Sequence, residues 1–279
     1  MTGVSKFQFN GKGADLLIKL LVGYLLTIVT LGIYMPWFIA DLTRFFVDNT
    51  ELGGPQGKVS LKFNGTGGNL FVICLTNFLL CLVTLMIYTP WAVVRFNRWQ
   101  MENVTATDAA GHTFNVRFAG TGAALFWKLV GGYLLTVITL GIFFPWFLVW
   151  LMRFYADNTT VTQGGQTAFS FSYAGTGGQL FVVVLVGALL TFITLGIYYP
   201  WFVTRFMKFN AGALRIQSAA GERSQLAFSG TGGKLFVELL LGILLVPLTL
   251  TIYLSWFIVR VTRWQVDHLE AAPAGGAGG

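Results

Sequence analysis

Phe63-Asn64-Gly65-Thr66-Gly67-Gly68 decides how this chain is organised, because it returns with near-constant spacing. The matching Gly-x-Gly segments begin at Gly11, Gly65, Gly120, Gly175 and Gly230, in steps of 54, 55, 55 and 55 residues. Trp37, Trp91, Trp146, Trp201 and Trp256 keep the same beat. The sequence is one unit written five times, and a period of this length governs the architecture before any single element is assigned. The units run over 1–58, 59–113, 114–168, 169–223 and 224–270, and a Gly/Ala/Pro-rich tail at 271–279 reads as disordered.

Around the glycines the unit has a fixed order. In the third copy, Thr105 to Phe118 alternates about an Ala-Gly turn, the pattern of a β-hairpin. Gly53-Gly54-Pro55, Gly164-Gly165 and Ala220-Gly221 mark the corresponding turns. Apolar residues two apart (Phe7 and Phe9, Leu61 and Phe63, Val116 and Phe118, Phe171 and Tyr173, Leu226 and Phe228) predict that one face of each hairpin is buried. The Thr of Gly-Thr-Gly suits a helix cap. Gly230 to Lys234 looks superficially like a phosphate loop but lacks the Walker spacing, so anion or headgroup binding there is the weaker reading.

A first helix is predicted over about Ala123 to Thr139, with Lys128 its only charge. An interfacial turn follows and leads into Pro36-Trp37, Pro90-Trp91, Pro145-Trp146 and Pro200-Trp201, with Ser255 before Trp256 in the last copy. Proline suits the first turn of a new helix, and tryptophan suits a membrane–water boundary. The second helix, about Pro145 to Asn158, ends in charge: Arg44 and Asp48, Arg98 and Glu102, Arg153 and Asp157, Arg263 and Asp267, and Lys208 alone. An acid four residues after an Arg shares its helix face, which allows ion pairs, contacts to a neighbouring unit, lipid or partner, or a merely solvated helix end.

Hydrophobic residues make up 55% of the chain and charged residues 10%, with mean hydropathy +0.69. A soluble domain carries about 25% charged residues, so the bilayer is the natural solvent for the remainder. The net charge of +7 fits loops facing an anionic inner leaflet better than it fits nucleic acid. Each unit offers roughly 34 apolar-rich residues where one crossing needs about 20. A single crossing per unit would place the basic helix ends on alternate sides, against the positive-inside rule. The sequence therefore predicts an α-helical integral membrane protein of five helical hairpins, two-pass or re-entrant, with ten segments the preferred count. Short cytoplasmic β-hairpins link the repeats, and the hairpins stack as a parallel array. No cleavable signal peptide is visible after Met1 to Lys6, so the chain is expected to insert and be retained whole.

Phe9 to Gly13, Thr30 to Tyr34, Trp37, Arg44 and Asp48 to Thr50, with their copies, resemble the YjgN-like family of bacterial inner-membrane proteins over nearly the whole chain. The resemblance implies a multi-pass protein of the bacterial inner membrane with no settled biochemical role, and the positive-inside reading puts its N-terminus and β-linkers on the cytoplasmic side. It carries over no catalytic or binding residue. A proline before Trp departs from the family's usual small residue.

No Ser-His-Asp set, nucleophile elbow, paired-carboxylate site or metal-ligand spacing occurs, so no enzyme and no cofactor are expected. Cys74 and Cys81 lie seven apart on one helix face, and His112 and His268 are far apart. The favoured reading is a structural or accessory subunit that packs with membrane lipids and with other membrane proteins or itself. The alternative is a transporter or channel. Its pathway residues would be Lys19, Lys128 and Glu238, at the position held by Ile73 and Val183, and Asp41, Arg95, Arg205 and Arg260, at the position of Trp150. Their signs differ between copies, which suits pairing between units better than a uniform selectivity ring.

Overall fold

Each Gly-x-Gly stands where a strand gives way to a helix in the computed structural model, which describes residues 4–54 and 57–273. The first unit runs β1 (Ser5–Phe9), α1 (Gly13–Val29), α2 (Met35–Asp48) and β2 (Thr50–Gly54). The second runs β3 (Gly57–Phe63), α3 (Gly67–Val83), α4 (Thr89–Glu102) and β4 (Val104–Thr107). The third runs β5 (Thr113–Phe118), α5 (Gly122–Ile138), α6 (Phe144–Asp157) and β6 (Thr159–Gln163). The fourth runs β7 (Gln166–Tyr173), α7 (Gly177–Ile193), α8 (Tyr199–Ala213) and β8 (Leu214–Ser218). The fifth runs β9 (Arg223–Phe228), α9 (Gly232–Leu248), α10 (Leu254–Asp267) and β10 (Leu269–Pro273). Of the tail expected at 271–279, residues 271–273 end β10 and 274–279 lie outside the described residues, as do 55–56 in the first expected turn.

Local chemistry sets the boundaries. The Thr66, Thr121 and Thr176 side chains accept from the amides of Asn69, Ala124 and Gln179, capping the first helices of the middle units. Proline occupies the first turn of α2, α4, α6 and α8, where its missing N–H costs nothing.

The strands pair antiparallel, each with its neighbours in sequence, and β1 pairs with β10, so the sheet is a closed ten-stranded barrel. Short turns join β4 to β5, β6 to β7 and β8 to β9 at one end. At the other end the two strands of each unit are joined through its helical hairpin. Because successive strands alternate in direction, all five hairpins leave the barrel from that same end. Phe114 of β5 and Phe169 of β7 have ring centroids 6.2 Å apart although β6 lies between their strands. Side chains from strands two apart converge in this way on the concave side. Their register partners Ala106 and Val161, together with Leu61, Phe171 and Ile216, share that face with the buried Ser5 and Ser224, so the barrel interior is mainly but not wholly apolar. The outer face is polar and carries the Lys6–Glu270 and Lys58–Glu51 ion pairs.

At the helix end Phe9, Phe63, Phe118 and Phe228 pack edge-on against Phe45, Trp99, Phe154 and Trp264 of their own second helices. The helices continue the ring. Gly23, Gly132, Gly187 and Gly242 receive the rings of Phe38, Phe147, Phe202 and Phe257 within each hairpin; a Cβ there would lie 2.0–2.4 Å from the ring. In the second unit the swap is reciprocal. Asn77 replaces the glycine, Ala92 replaces the phenylalanine, and the Asn77 amide donates to the Ala92 carbonyl at 3.4 Å.

The expected α-helical integral membrane protein is corrected here. Among the described residues no helix is long and apolar enough to cross a membrane, and the β-linkers are a closed barrel rather than separate hairpins. First helices of 17 residues reach about 25 Å, short of the ~30 Å hydrocarbon core, and second helices of 14 or 15 residues reach less. The apolar residues counted in each unit are divided by the turn at Thr30 to Tyr34 and its copies. Two-pass hairpins, transmembrane helices and a multi-pass topology are therefore withdrawn. Consecutive hairpins are also offset: Phe38 lies against Gly23 of its own hairpin, while Trp37 lies against Gly67, the first residue of the next.

Candidate functional site

The hairpin tips repeat one geometry. Thr30 Oγ1 donates to the Leu26 carbonyl at 2.7 Å and accepts the Tyr34 amide at 3.0 Å. Thr84, Thr139, Thr194 and Thr249 do the same. The next residue is always leucine and always left-handed, with φ of 51, 48, 50, 51 and 49° at Leu31, Leu85, Leu140, Leu195 and Leu250. Such a backbone costs an L-residue roughly 1–2 kcal/mol. These leucines gain no packing in return: Leu31, Leu140 and Leu195 are each 94% exposed, Leu85 86% and Leu250 84%. Behind them the first helices bury only a narrow stripe (Gly13, Leu16 and Gly23 in α1) and expose most other apolar residues, such as Leu21, Leu25, Ile28 and Val29. All five tips therefore present exposed apolar side chains. Residue-by-residue reading missed the leucines, although Thr-Leu at one fixed place in all five copies was their signal.

The two sequence markers meet at the junctions between units. A Cβ on Gly67, Gly122, Gly177 or Gly232 would fall 2.1–2.5 Å from the indole of Trp37, Trp91, Trp146 or Trp201 of the preceding unit. Trp256 closes the ring against Gly13 at 2.6 Å. Pro36, Pro90, Pro145 and Pro200 are buried beside these contacts, as is Ser255 in the fifth copy.

The helix-end charges also span the junctions. Arg98 donates to the carbonyls of Phe118 and Gly120 at 3.3 and 2.9 Å, while Glu102 accepts the Phe118 amide at 3.4 Å. Arg263 and Asp267 grip Phe9 and Gly11 in the same way. Asp48 accepts the Phe63 amide, Arg44 reaches the Gly65 carbonyl, and Arg153 reaches those of Tyr173 and Gly175. Asp157 is exposed at the corresponding helix end, as is Lys208 in the fourth unit.

The charges considered for a pathway fall within separate hairpins. Arg260 binds Glu238 through two nitrogens at 2.6 and 3.1 Å, which also holds the guanidinium pKa above its ordinary value. Asp41 pairs with Arg44 at 3.0 Å, and Arg95 donates to Asn77 and Tyr88. Lys19 and Lys128 are half-buried on their first helices, and Arg205 is exposed. The structure does not gather these side chains around one passage.

Under the barrel, between the third, fourth and fifth units, lies a cavity of about 530 Å³ lined by Met152, Ala156, Phe171, Phe206, Ala211 and Leu214 among others. Tyr173 donates to Asn210 Oδ1 at 2.7 Å at its wall. Burial pushes the Tyr173 phenol up to about 12, against the opposing pull of Arg153. Sequence reading missed this cavity because its cause is a difference between copies. Ala156 and Ala211 stand where the other units have Val47, Met101 and Val266.

The family model described as bacterial protein of unknown function (DUF898) matches residues 4–56, 58–115 and 166–220. These segments cover more than half of the chain, and the chain belongs to this YjgN-like family. It is 37% identical over 83 residues to the inner membrane protein YjgN of Salmonella typhimurium, covering 30% of this chain and 20% of that protein. To the inner membrane protein YjgN of Escherichia coli K12 it is 41% identical over 69 residues, 25% of this chain and 16% of the relative. The matched region spans a fifth or less of these relatives. No solved structure matches the chain.

Proposed function

We propose that this protein is a non-enzymatic structural or accessory component seated on one leaflet of the bacterial inner membrane, its five hairpin tips dipping among the acyl chains without spanning the bilayer. The observation that carries this reading is the left-handed, nearly fully exposed leucine at every tip. The leucine backbone closes the turn, but its exposed side chain adds no packing to the fold. In lipid, each such leucine would gain roughly 1.5–3 kcal/mol of burial. The names of the relatives support the membrane, and the basic residues on the outer barrel face (Lys6, Lys58, Lys62, Arg117) suit an anionic cytoplasmic leaflet. Lipid is then the first partner. Barrel closure leaves no free strand edge for a protein partner among the described residues.

The test is flotation with vesicles of phosphatidylethanolamine and phosphatidylglycerol. Replacing all five tip leucines with asparagine suits the left-handed backbone better than leucine does, so the fold should hold. The wild type should float and the quintuple variant should stay at the bottom with unchanged circular dichroism. Equal flotation of both would sink the proposal.

A further inference from the structure

The cavity beneath the barrel has no counterpart role in membrane seating, and its chemistry selects an occupant. Its volume of about 530 Å³ falls within the range of roughly 300–1,000 Å³ typical of small-molecule sites. Its walls are the Met152, Phe171, Phe206 and Leu214 side chains, and no Lys, Arg, Asp, Glu or His lines it. A carboxylate or phosphate would lie there without a counter-charge, which low-polarity surroundings penalise heavily. Water is no better served: the amide of Asn210 and the hydroxyl of Tyr173 are already bonded, to Phe206 and to each other. An apolar guest would gain dispersion contacts along the whole lining.

The hole is built by the sequence. Where the first, second and fifth units fill this layer with Val47, Met101 and Val266, the third and fourth carry Ala156 and Ala211. In the fourth unit the strand-end aromatic is Tyr173, which donates to Asn210 at the cavity wall, while Phe209 packs against the same cluster. Methionines at 152 and 207 add adaptable walls, suited to a flexible guest. We infer that this cavity binds one long, uncharged hydrocarbon chain.

The test measures binding of radiolabelled hexadecanol to the full-length protein in mild detergent, with hexadecanoate as the charged comparison. Wild-type protein should hold one equivalent of the alcohol and bind the carboxylate at least tenfold more weakly. The Ala156→Val/Ala211→Met variant installs residues the other units already tolerate, so it should fold, melt no lower than wild type and lose at least tenfold in affinity. The quintuple tip variant, which tests membrane seating, should bind hexadecanol normally. No saturable binding by wild type, equal binding by the filled variant, or equal affinity for the carboxylate would each overturn the inference. Loss of binding in the tip variant alone would assign the alcohol to the tips and overturn it too.

Discussion

Asn77 and Ala92 show how a single residue is set by its neighbour rather than by its own propensity. At this place a helix tolerates glycine in four copies because a phenylalanine ring lies against it. Asn77→Gly alone should leave a gap and cost about 1–3 kcal/mol, and Ala92→Phe alone should overpack by a similar amount. The double substitution restores the arrangement of the other four units. Its denaturation midpoint should recover most of the combined loss, and strict additivity in this cycle would disprove the pairing.

A second residue-scale expectation concerns acid. The Asp108 side chain accepts from His112 and from the amides of His112 and Ala110, and the His112 side-chain bond is the main reason its pKa lies below the ordinary carboxylate value. A depressed folded pKa means the turn is supported above the ordinary Asp range and loosens as pH falls through the lowered value. Amide exchange at Ala110 and His112 should therefore accelerate in that acid window after correction for intrinsic rates. Asp108→Asn should remove the pH dependence. The sequence offered the alternation and the Ala-Gly turn at this place, but not the carboxylate that organises it.

At the scale of elements, the Arg and acid at the ends of α2, α4 and α10 act as a clamp on the strand of the next unit around the ring, and in α6 Arg153 does so alone. Arg98→Ala would strip the buried carbonyls of Phe118 and Gly120 of a donor and should cost about 1.5–3 kcal/mol. Arg98→Lys should recover only part of this, because an ammonium cannot fork between two carbonyls as a guanidinium does. Chemical denaturation of the three proteins in the same detergent would rank them, and an ordering with lysine equal to arginine would reject the forked geometry. The helices and hairpins themselves were largely legible. Thr caps, N-terminal prolines and two-residue alternation are local signals, and α5 and α6 begin within a residue of where those signals place them. The clamp was only half legible. The spacing of four suggested a pair along one helix, whereas the side chains reach across to backbone groups some twenty residues onward.

For the whole molecule, closure was the part the sequence withheld. Five units were countable from their glycines and tryptophans, but Ser5 opposite Ala271 and Lys6 opposite Glu270 pair residues from the two ends of the chain. No periodicity encodes such a contact. The same blindness turned a ring of short, offset hairpins into expected membrane crossings, because composition reports how much apolar surface exists and not how deep it lies. Among the described residues the β1–β10 seam has only these two register pairs, whereas β9 and β10 share five. Lys6→Glu would set like charges directly opposite each other and should cost up to about 1 kcal/mol, read as faster amide exchange in β1 and β10 than elsewhere in the barrel. A circular permutant that joins the two ends by a flexible linker and opens the chain at Gly111 should keep the far-ultraviolet spectrum and elution volume of the parent. Aggregation of that permutant in detergent would argue against a closed ring.

One chain supplying the entire ring has a further consequence. In a ring assembled from five identical copies, any substitution is felt five times over, and the most costly changes are ruled out by multiplication. Here each position is inherited singly. A reciprocal exchange such as Asn77 with Ala92 can settle in one sector while its four counterparts keep glycine and phenylalanine. A cavity such as the one at Ala156 and Ala211 can form on one side while Val47, Met101 and Val266 fill the same layer elsewhere. Fusion thus gives a rotationally repetitive scaffold an address system, in which a chemically distinct sector arises without weakening the rest.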